Sequence, residues 1–259
     1  MEILKGKTIL VTGGSGGIGQ AISLEAAKHG ADVALTYRSD EEGGKATADK
    51  IREMGRKAEF YHFSAGKAES TNSLFDQAFA DFGTFDAVVN NAGMDGKRGN
   101  LWELDPEDWE GVISVNLIGA YQVAARALPH MKKNGSGVFL GISSVHERVP
   151  WGGHTAYTAA KAGLGMMMKS LALELADTGV RAVSLAPGAI KTDINKDVWD
   201  DPETLADLKE KIPMNRMGTT EEIAKTAVFL MSDYASYVTG TTLYADGGMS
   251  TYPSFAKGG

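Results

Sequence analysis

Residues 8–19 read TILVTGGSGGIG. The run Thr8–Thr12 is short and apolar and stops at glycines, which predicts a buried strand. From Ile18 to His29, Ile22, Ala26 and Ala27 recur at helical spacing, and Gly30 closes the segment. Glycines between a strand and a helix let backbone N–H groups approach a pyrophosphate. The helix N-terminus adds unpaired donors and a positive dipole end. A glycine run alone could be a plain tight turn; the flanking strand and helix favour dinucleotide binding. Gly13, Ser15, Gly17, Ile18 and Gly19 are therefore expected to hold a dinucleotide.

Working outward, the same alternation repeats. Strands are expected at Asp32–Tyr37, Ala58–Phe63, Phe85–Asn90, Gly137–Ile142, Val180–Leu185 and Thr241–Ala245. Helices are expected at Glu42–Met54, Ser70–Phe82, twice within Pro106–Met131, and at Ala156–Ala176 and Thr220–Met231. Strict alternation implies parallel strands, right-handed crossovers and helices on both faces. The expectation is one α/β domain over residues 1–259, a Rossmann-type doubly wound parallel sheet of about seven strands. Residues 191–215 break the rhythm and are polar; they read as a partly helical lid over a site. Thr220 followed by Glu221 and Glu222 reads as the N-cap signal of the last helix.

The chain of 259 residues has a net charge of -7, five histidines and no cysteine. That balance disfavours nucleic-acid or membrane-surface partners, and it argues against a metal site or thiol chemistry. No apolar run reads as a membrane span, and the first residues lack a secretory pattern. A cytoplasmic protein is expected.

A second stretch carries chemistry. Tyr157 follows Ser144 by thirteen residues, and Lys161 follows Tyr157 by four. On a helix, Tyr157 and Lys161 share a face. An ammonium beside a phenol lowers the phenol's pKa, and the Ser144 hydroxyl could hold a substrate oxygen. Such a set suits an alcohol/carbonyl pair. Taken singly, the same residues could be an amphipathic helix pair, a snorkelling lysine and a turn cap. At the end of the second strand stand Tyr37, Arg38 and Ser39, with no acid before Asp40. An acid there would bind the ribose of NAD; an arginine can pair with a 2′-phosphate, so NADP, or use of both NADP and NAD, is expected.

These signals stand in a particular order. The glycine loop comes first, then Asn90, Asn91, Ala92 and Gly93 after the fourth strand, then Asn116 within VNLIGA. Ser144, Tyr157 and Lys161 follow, then Pro187 and Gly188, with Ile190 and Thr192 beyond them. The whole chain resembles the short-chain dehydrogenase/reductase family. The resemblance implies that Asn91, Ala92, Gly93, Pro187, Gly188, Ile190 and Thr192 surround the dinucleotide. It implies that Tyr157 moves the substrate proton and Lys161 also holds a cofactor ribose. Ser144 would bind the reacting oxygen, and Asn116 would support a relay water. Ser64 stands where the family usually has an aspartate at the adenine.

Within the family, SSVHERVPW, PGAIKTDIN, IPMNRMG, YVTGTTLYADGGM and the tail YPSFAKGG are similar to bacterial glucose 1-dehydrogenases. That implies oxidation of an aldose at C1 to the lactone, in a homotetramer. Asp95 and His146 would lie near the sugar, with Asp95 replacing the usual glutamate. His154 and Trp151 flank the site in sequence. Lys97 and Arg98 are either a solvated pair or a contact for an anionic substrate. The resemblance places one subunit interface on Trp109–Met131 and Ala156–Ala176 and another on Tyr237–Tyr252. Alternatives are a dehydrogenase or ketoreductase for another polyol, an anionic sugar or a non-sugar ketone, and a non-catalytic dinucleotide-binding protein.

Overall fold

The computed structural model describes residues 2–251. The strands are β1 (Thr8–Val11), β2 (Asp32–Tyr37), β3 (Ala58–His62), β4 (Ala87–Asn90), β5 (Gly137–Ile142), β6 (Val180–Pro187) and β7 (Thr242–Ala245). They form one sheet in the order β3-β2-β1-β4-β5-β6-β7. Every pairing is parallel. The helices are α1 (Gly17–Lys28), α2 (Glu41–Glu53), α3 (Ala68–Phe82), α4 (Pro106–Ile113), α5 (Gly119–Asn134), α6 (Thr155–Glu174), α7 (Lys196–Trp199), α8 (Pro202–Glu210) and α9 (Thr220–Met231).

Side-chain alternation explains why β1 is apolar at every central position. Ile9 and Val11 point to one face, where they pack with Ile22 and Ala26 of α1, Ile51 of α2 and Val228 of α9. Leu10 points to the other, among Phe75 of α3, Val123 of α5 and Leu164 and Met168 of α6. A strand covered on both sides needs a continuous hydrophobic run. Each fully buried large apolar side chain contributes about 2 kcal/mol against the entropy of ordering the chain.

The sheet order reverses between β1 and β4. The chain steps outward to β3, then crosses back to start the other half. In open parallel sheets a crevice forms at that switch, beyond the carboxyl ends of the strands. The glycine loop follows β1 and the Asn90–Gly93 motif follows β4, so both meet there.

Two details differ from expectation. The cap of α9 is Thr219, whose side chain accepts from the Glu222 N–H while the Glu222 carboxylate accepts from the Thr219 N–H. The capping box therefore starts one residue before Thr220. Pro106–Asn134 is long and apolar enough, by length and composition, to cross a membrane. Its buried residues Val112, Val123, Ala127 and Met131 lie inside the domain, so it serves as a core helix. A π turn at Ser114–Ile118 joins α4 to α5.

Candidate active site

The phosphate loop is built from backbone. Gly14 N–H donates to the Thr36 carbonyl at 2.8 Å and Gly13 N–H to the Thr36 hydroxyl at 3.0 Å, tying the loop to β2. Gly17 has φ +54°, the left-handed region that disfavours side chains. A Cβ on Gly19 would lie 2.1 Å from the Gly13 carbonyl oxygen, so only glycine lets α1 start so close to the turn. The α1 N-cap, Gly16, has no side chain to spend on the helix N–H groups, which stay available to an anion. This cradle fits a dinucleotide pyrophosphate.

Asn91 braces the loop from β4. Its Nδ2 donates to the carbonyls of Thr12 (2.9 Å) and Gly13 (3.2 Å). Thr12 returns the bond: its hydroxyl accepts from the N–H groups of Asn91 (2.9 Å) and Ala92 (3.0 Å). Thr12 was not singled out from the sequence. Its only signal was its place between the strand and the first glycine.

Arg38 projects from the end of β2 and is exposed. The nearby acids are engaged elsewhere. Asp40 accepts from the Gly43 N–H at 2.9 Å to cap α2, and Glu41 is hydrogen-bonded to Tyr37. Ser39 is exposed beside Arg38, and Ser64 is half-buried with its N–H donated to the Ser70 hydroxyl at 2.9 Å. Across the crevice, β6 runs through Pro187, and Gly188 N–H donates to the Ala245 carbonyl at 3.1 Å. Ile190 is buried and bridges to Gly218. The Thr192 methyl group faces Gly17, while its hydroxyl donates to Asn195 Oδ1 at 3.0 Å.

Tyr157 and Lys161 lie one turn apart on α6. Lys161 is buried, donates to the Ile142 carbonyl at 2.9 Å, and sits 5.6 Å from the Tyr157 ring centre. The Ser144 hydroxyl is hydrogen-bonded to Tyr157 and accepts from the His146 N–H at 3.2 Å. Ser144 thus caps a turn and reaches the phenol at once.

The expected lowering of the Tyr157 pKa is not what these protein groups produce. Burial pushes the phenol up to about 12, with the Ser144 hydrogen bond pulling the other way and the Asp95 charge adding to the rise. Burial also draws Lys161 down to about 8, opposed by the charges of Asp95 and Glu147. For both groups burial outweighs the neighbouring charges and hydrogen bonds.

Asn116 occupies the π turn. Its Nδ2 donates to the carbonyls of Met94 (2.8 Å) and Val112 (3.0 Å), and its Oδ1 accepts from the Met94 N–H at 3.2 Å. Its side chain is therefore fully used in bracing the segment after Gly93. π turns recur at functional sites, and here one holds the strand-four motif against α6.

Above Tyr157 stands an aromatic wall. Trp151 is stacked on His154 on one face (3.9 Å, 26°) and on His146 on the other (4.5 Å, 15°). Both His146 (6.3 Å) and Trp151 (6.0 Å) meet the Tyr157 ring edge-on. His146 Nδ1 lies 3.0 Å from the Val149 carbonyl, which can only accept. The proton is therefore on Nδ1, and Nε2 is an acceptor. Burial lowers the His146 pKa, which keeps that acceptor neutral near pH 7. Asp95 is exposed, and its charge acts on His146, Tyr157 and Lys161.

The basic pair divides. Lys97 is bound to Asp108 of α4 at 2.8 Å, and that hydrogen bond raises its pKa. Arg98 is exposed, and its side chain lies against Gly153. The segment beyond β6 is latched to its own base. Trp199 Nε1 donates to the Thr192 carbonyl at 2.8 Å, and Lys191 lies over the Trp199 ring at 4.1 Å. The tail residues Tyr252–Gly259, which include YPSFAKGG, lie outside the described residues.

A doubly wound sheet with a glycine cradle at its switch point, beside a Ser–Tyr–Lys set, defines a dinucleotide-dependent oxidoreductase. Comparison with known proteins agrees: residues 13–250 match the family described as Enoyl-(Acyl carrier protein) reductase. The chain belongs to the short-chain dehydrogenase/reductase family, whose members use NAD or NADP. It is 44% identical to 3beta-hydroxysteroid dehydrogenase 1 of Eggerthella lenta, over 98% of each chain. It is 43% identical to Glucose 1-dehydrogenase 2 of Bacillus subtilis, over 97% of each. Among solved structures, a gluconate 5-dehydrogenase from Burkholderia cenocepacia in complex with NADP and tartrate superposes with a TM-score of 0.90. That pair shares 31% identity over 96% of each chain.

Proposed function

We propose that the protein oxidises the C1 hydroxyl of an aldose, a glucose-like sugar, to the lactone, with NADP or NAD as acceptor. The observation that carries this reading is the acceptor character of the site wall. His146 Nε2 and the Asp95 carboxylate both accept, which suits a substrate rich in hydroxyl donors. Neither suits an anion, and Lys97 is already paired with Asp108. Both faces of Trp151 are covered by histidines, so sugar recognition rests on hydrogen bonds instead of stacking.

In this reading Ser144 holds the reacting hydroxyl, and Tyr157, as phenolate, takes its proton. An oxidised dinucleotide, when bound, would supply the hydride acceptor and a positive charge to the site. Lys161 provides the neighbouring positive charge and a donor for the cofactor ribose. Asn116 keeps the Gly93–Met94 turn against Lys161 and so supports the relay. Arg38, free of a competing acid on its strand end, favours the 2′-phosphate. Residues 191–215 act as the lid. His154 lines the pocket without taking a proton from substrate.

A second reading has one observation in its favour. Leu101 and Trp102 are exposed on the segment between Lys97 and α4, Trp102 at 82%. An apolar rim there would suit a secondary alcohol on a hydrocarbon skeleton, the substrate type named for the 3β-hydroxysteroid relative. The test is a panel followed at the NAD(P)H absorbance: glucose, other aldoses, gluconate and a 3β-hydroxysteroid, each with NAD and NADP. Reduction with an aldose is expected; turnover of the steroid alone would overturn the aldose reading. A chain that binds cofactor yet turns over nothing would count against both.

The assembly we propose is a cytoplasmic homotetramer. Exposed Ile118 and Tyr121 lie on or beside α5, and Met166 and Leu173 on α6, which supports a helix-to-helix interface. Tyr237 and Leu243, at the β7 edge, support the second. Light scattering that gives a monomer would refute this.

A further inference from the structure

Beside Tyr157 is a small cavity lined by the segment after Gly93, α4 and the start of α6. Its lining includes Asp95, Asp108, Trp109, His154, Thr155 and Tyr157. Three of the lining residues each carry a buried polar atom with no hydrogen-bond partner among the described residues: Trp109 Nε1, His154 Nδ1 and Thr155 Oγ1. His154 as a whole is only 8% exposed. Buried polar groups left unpaired are expensive, of order 1–3 kcal/mol each, and three of them on residues that line one space point to a shared partner.

The space limits what that partner is. The centre of a water-sized group can move through about 10 Å³ there. By that measure a single water needs about 10–15 Å³ and two to four polar partners. The chemistry agrees. An indole N–H only donates and a threonine hydroxyl can donate, while a neutral imidazole nitrogen can accept. Water takes two hydrogen bonds and gives two.

We infer that Trp109, Thr155 and His154 form a binding site for one internal water, and that this water sets the orientation of the aromatic wall. Trp109 and Thr155 donate to its oxygen. It donates to His154 Nδ1, which places the imidazole proton on Nε2. The fixed His154 ring stacks on Trp151, and Trp151 stacks on His146, the ring that the proposed function assigns to the substrate. Trp109 and Thr155 thereby become positioning residues: they act on the wall through the water and touch neither substrate nor dinucleotide. The water site itself stands independently of which substrate the enzyme takes.

The test has two parts. A crystal structure of the full chain at water-resolving resolution should show one water within hydrogen-bond distance of all three atoms. Nitrogen-15 NMR of the histidines should show His154 protonated on Nε2 and not on Nδ1. A dry cavity, or a proton on Nδ1, overturns the proposal without reference to any activity. The second part is Thr155→Val, which keeps the shape and removes the hydroxyl. The His154 nitrogen signals should shift and KM for the active substrate should rise about ten-fold, with kcat within about two-fold, as befits loss of one buried hydrogen bond. A variant that loses thermal stability yet keeps the His154 signals and KM would show Thr155 to be merely structural and would overturn the positioning role. Should the panel above find no substrate, the water and the tautomer still decide the site.

Discussion

The two sides of the crevice are built by different means. The cofactor side is mostly main chain: glycines at close approach, N–H groups at the start of α1, and Asn91 and Thr12 bracing the loop. Its partners come from the ends of β1, β2 and β4, all set by the sheet register. The substrate side is mostly side chain. Its wall of His146, Trp151 and His154 is a stack of rings, held by ring contacts and by local hydrogen bonds such as His146 Nδ1 to the Val149 carbonyl and His154 N–H to the Trp151 carbonyl. A backbone site tolerates almost no substitution at its glycines but is indifferent to what reacts. A side-chain site can be retuned residue by residue, which is how one scaffold serves sugars, sugar acids and steroids among its relatives.

That contrast can be broken by experiment. The largest expected effect is Tyr157→Phe, which should lower kcat about a thousand-fold while cofactor binding by fluorescence titration stays within about two-fold. Loss of cofactor affinity would mean that the two sides are not separable. Next is Gly19→Ala. The added methyl has the Gly13 carbonyl in its way, so the cost should be about 3 kcal/mol in urea unfolding, with cofactor affinity lost alongside. An unchanged midpoint would show that the loop can yield. Arg38→Ala should raise KM for NADP about ten-fold and leave NAD unaffected; equal changes for both would remove the phosphate contact from the cofactor side.

A further expected effect is a pH dependence at the boundary between the two sides. Lys161 holds its proton to 10.5 when exposed but only to about 8 in the fold. Between those values the unfolded chain binds more protons, so this residue makes stability rise with pH there. Below about 8 both states carry the charge and the cost of burying it is felt in full. Tyr157 acts oppositely between 10.0 and about 12, where the folded state keeps a proton that the unfolded chain has lost. Lys161→Met should therefore abolish the rise in unfolding free energy from about pH 8 to pH 10 seen in chemical denaturation of the wild type. A rise of the same size in the variant would rule Lys161 out as its source.

Much of the cofactor side was legible before any coordinates. Gly13 to Gly19 sit in consecutive positions, and a strand, a turn and a helix are local events that the chain announces in order. The same holds for the strands: β2 and β5 match their expected limits, because runs buried on both faces must be apolar throughout. The α9 cap was misplaced by one residue, since Thr219 and Thr220 both can cap and only the Glu222 geometry chooses between them. The substrate side was legible only in part. His146 and Asp95 were reached through resemblance. Trp109 was taken for an interface residue, and nothing in its neighbours along the chain indicates that its side chain lines a cavity with His154.

The sequence by itself determined the layering, the parallel strands implied by alternation, the glycine loop and the Ser144–Tyr157–Lys161 spacing, because each rests on short-range periodicity or on residue type; the strand order came from the structure. Only the tertiary structure decided the electrostatics. Burial overruled the Tyr157–Lys161 pairing and pushed the phenol up instead of down. Lys97 was paired with Asp108, eleven residues on. His146 was made an acceptor by a main-chain carbonyl three residues away. Charge and proton position depend on what surrounds a group in space, and distance along the chain does not carry that information.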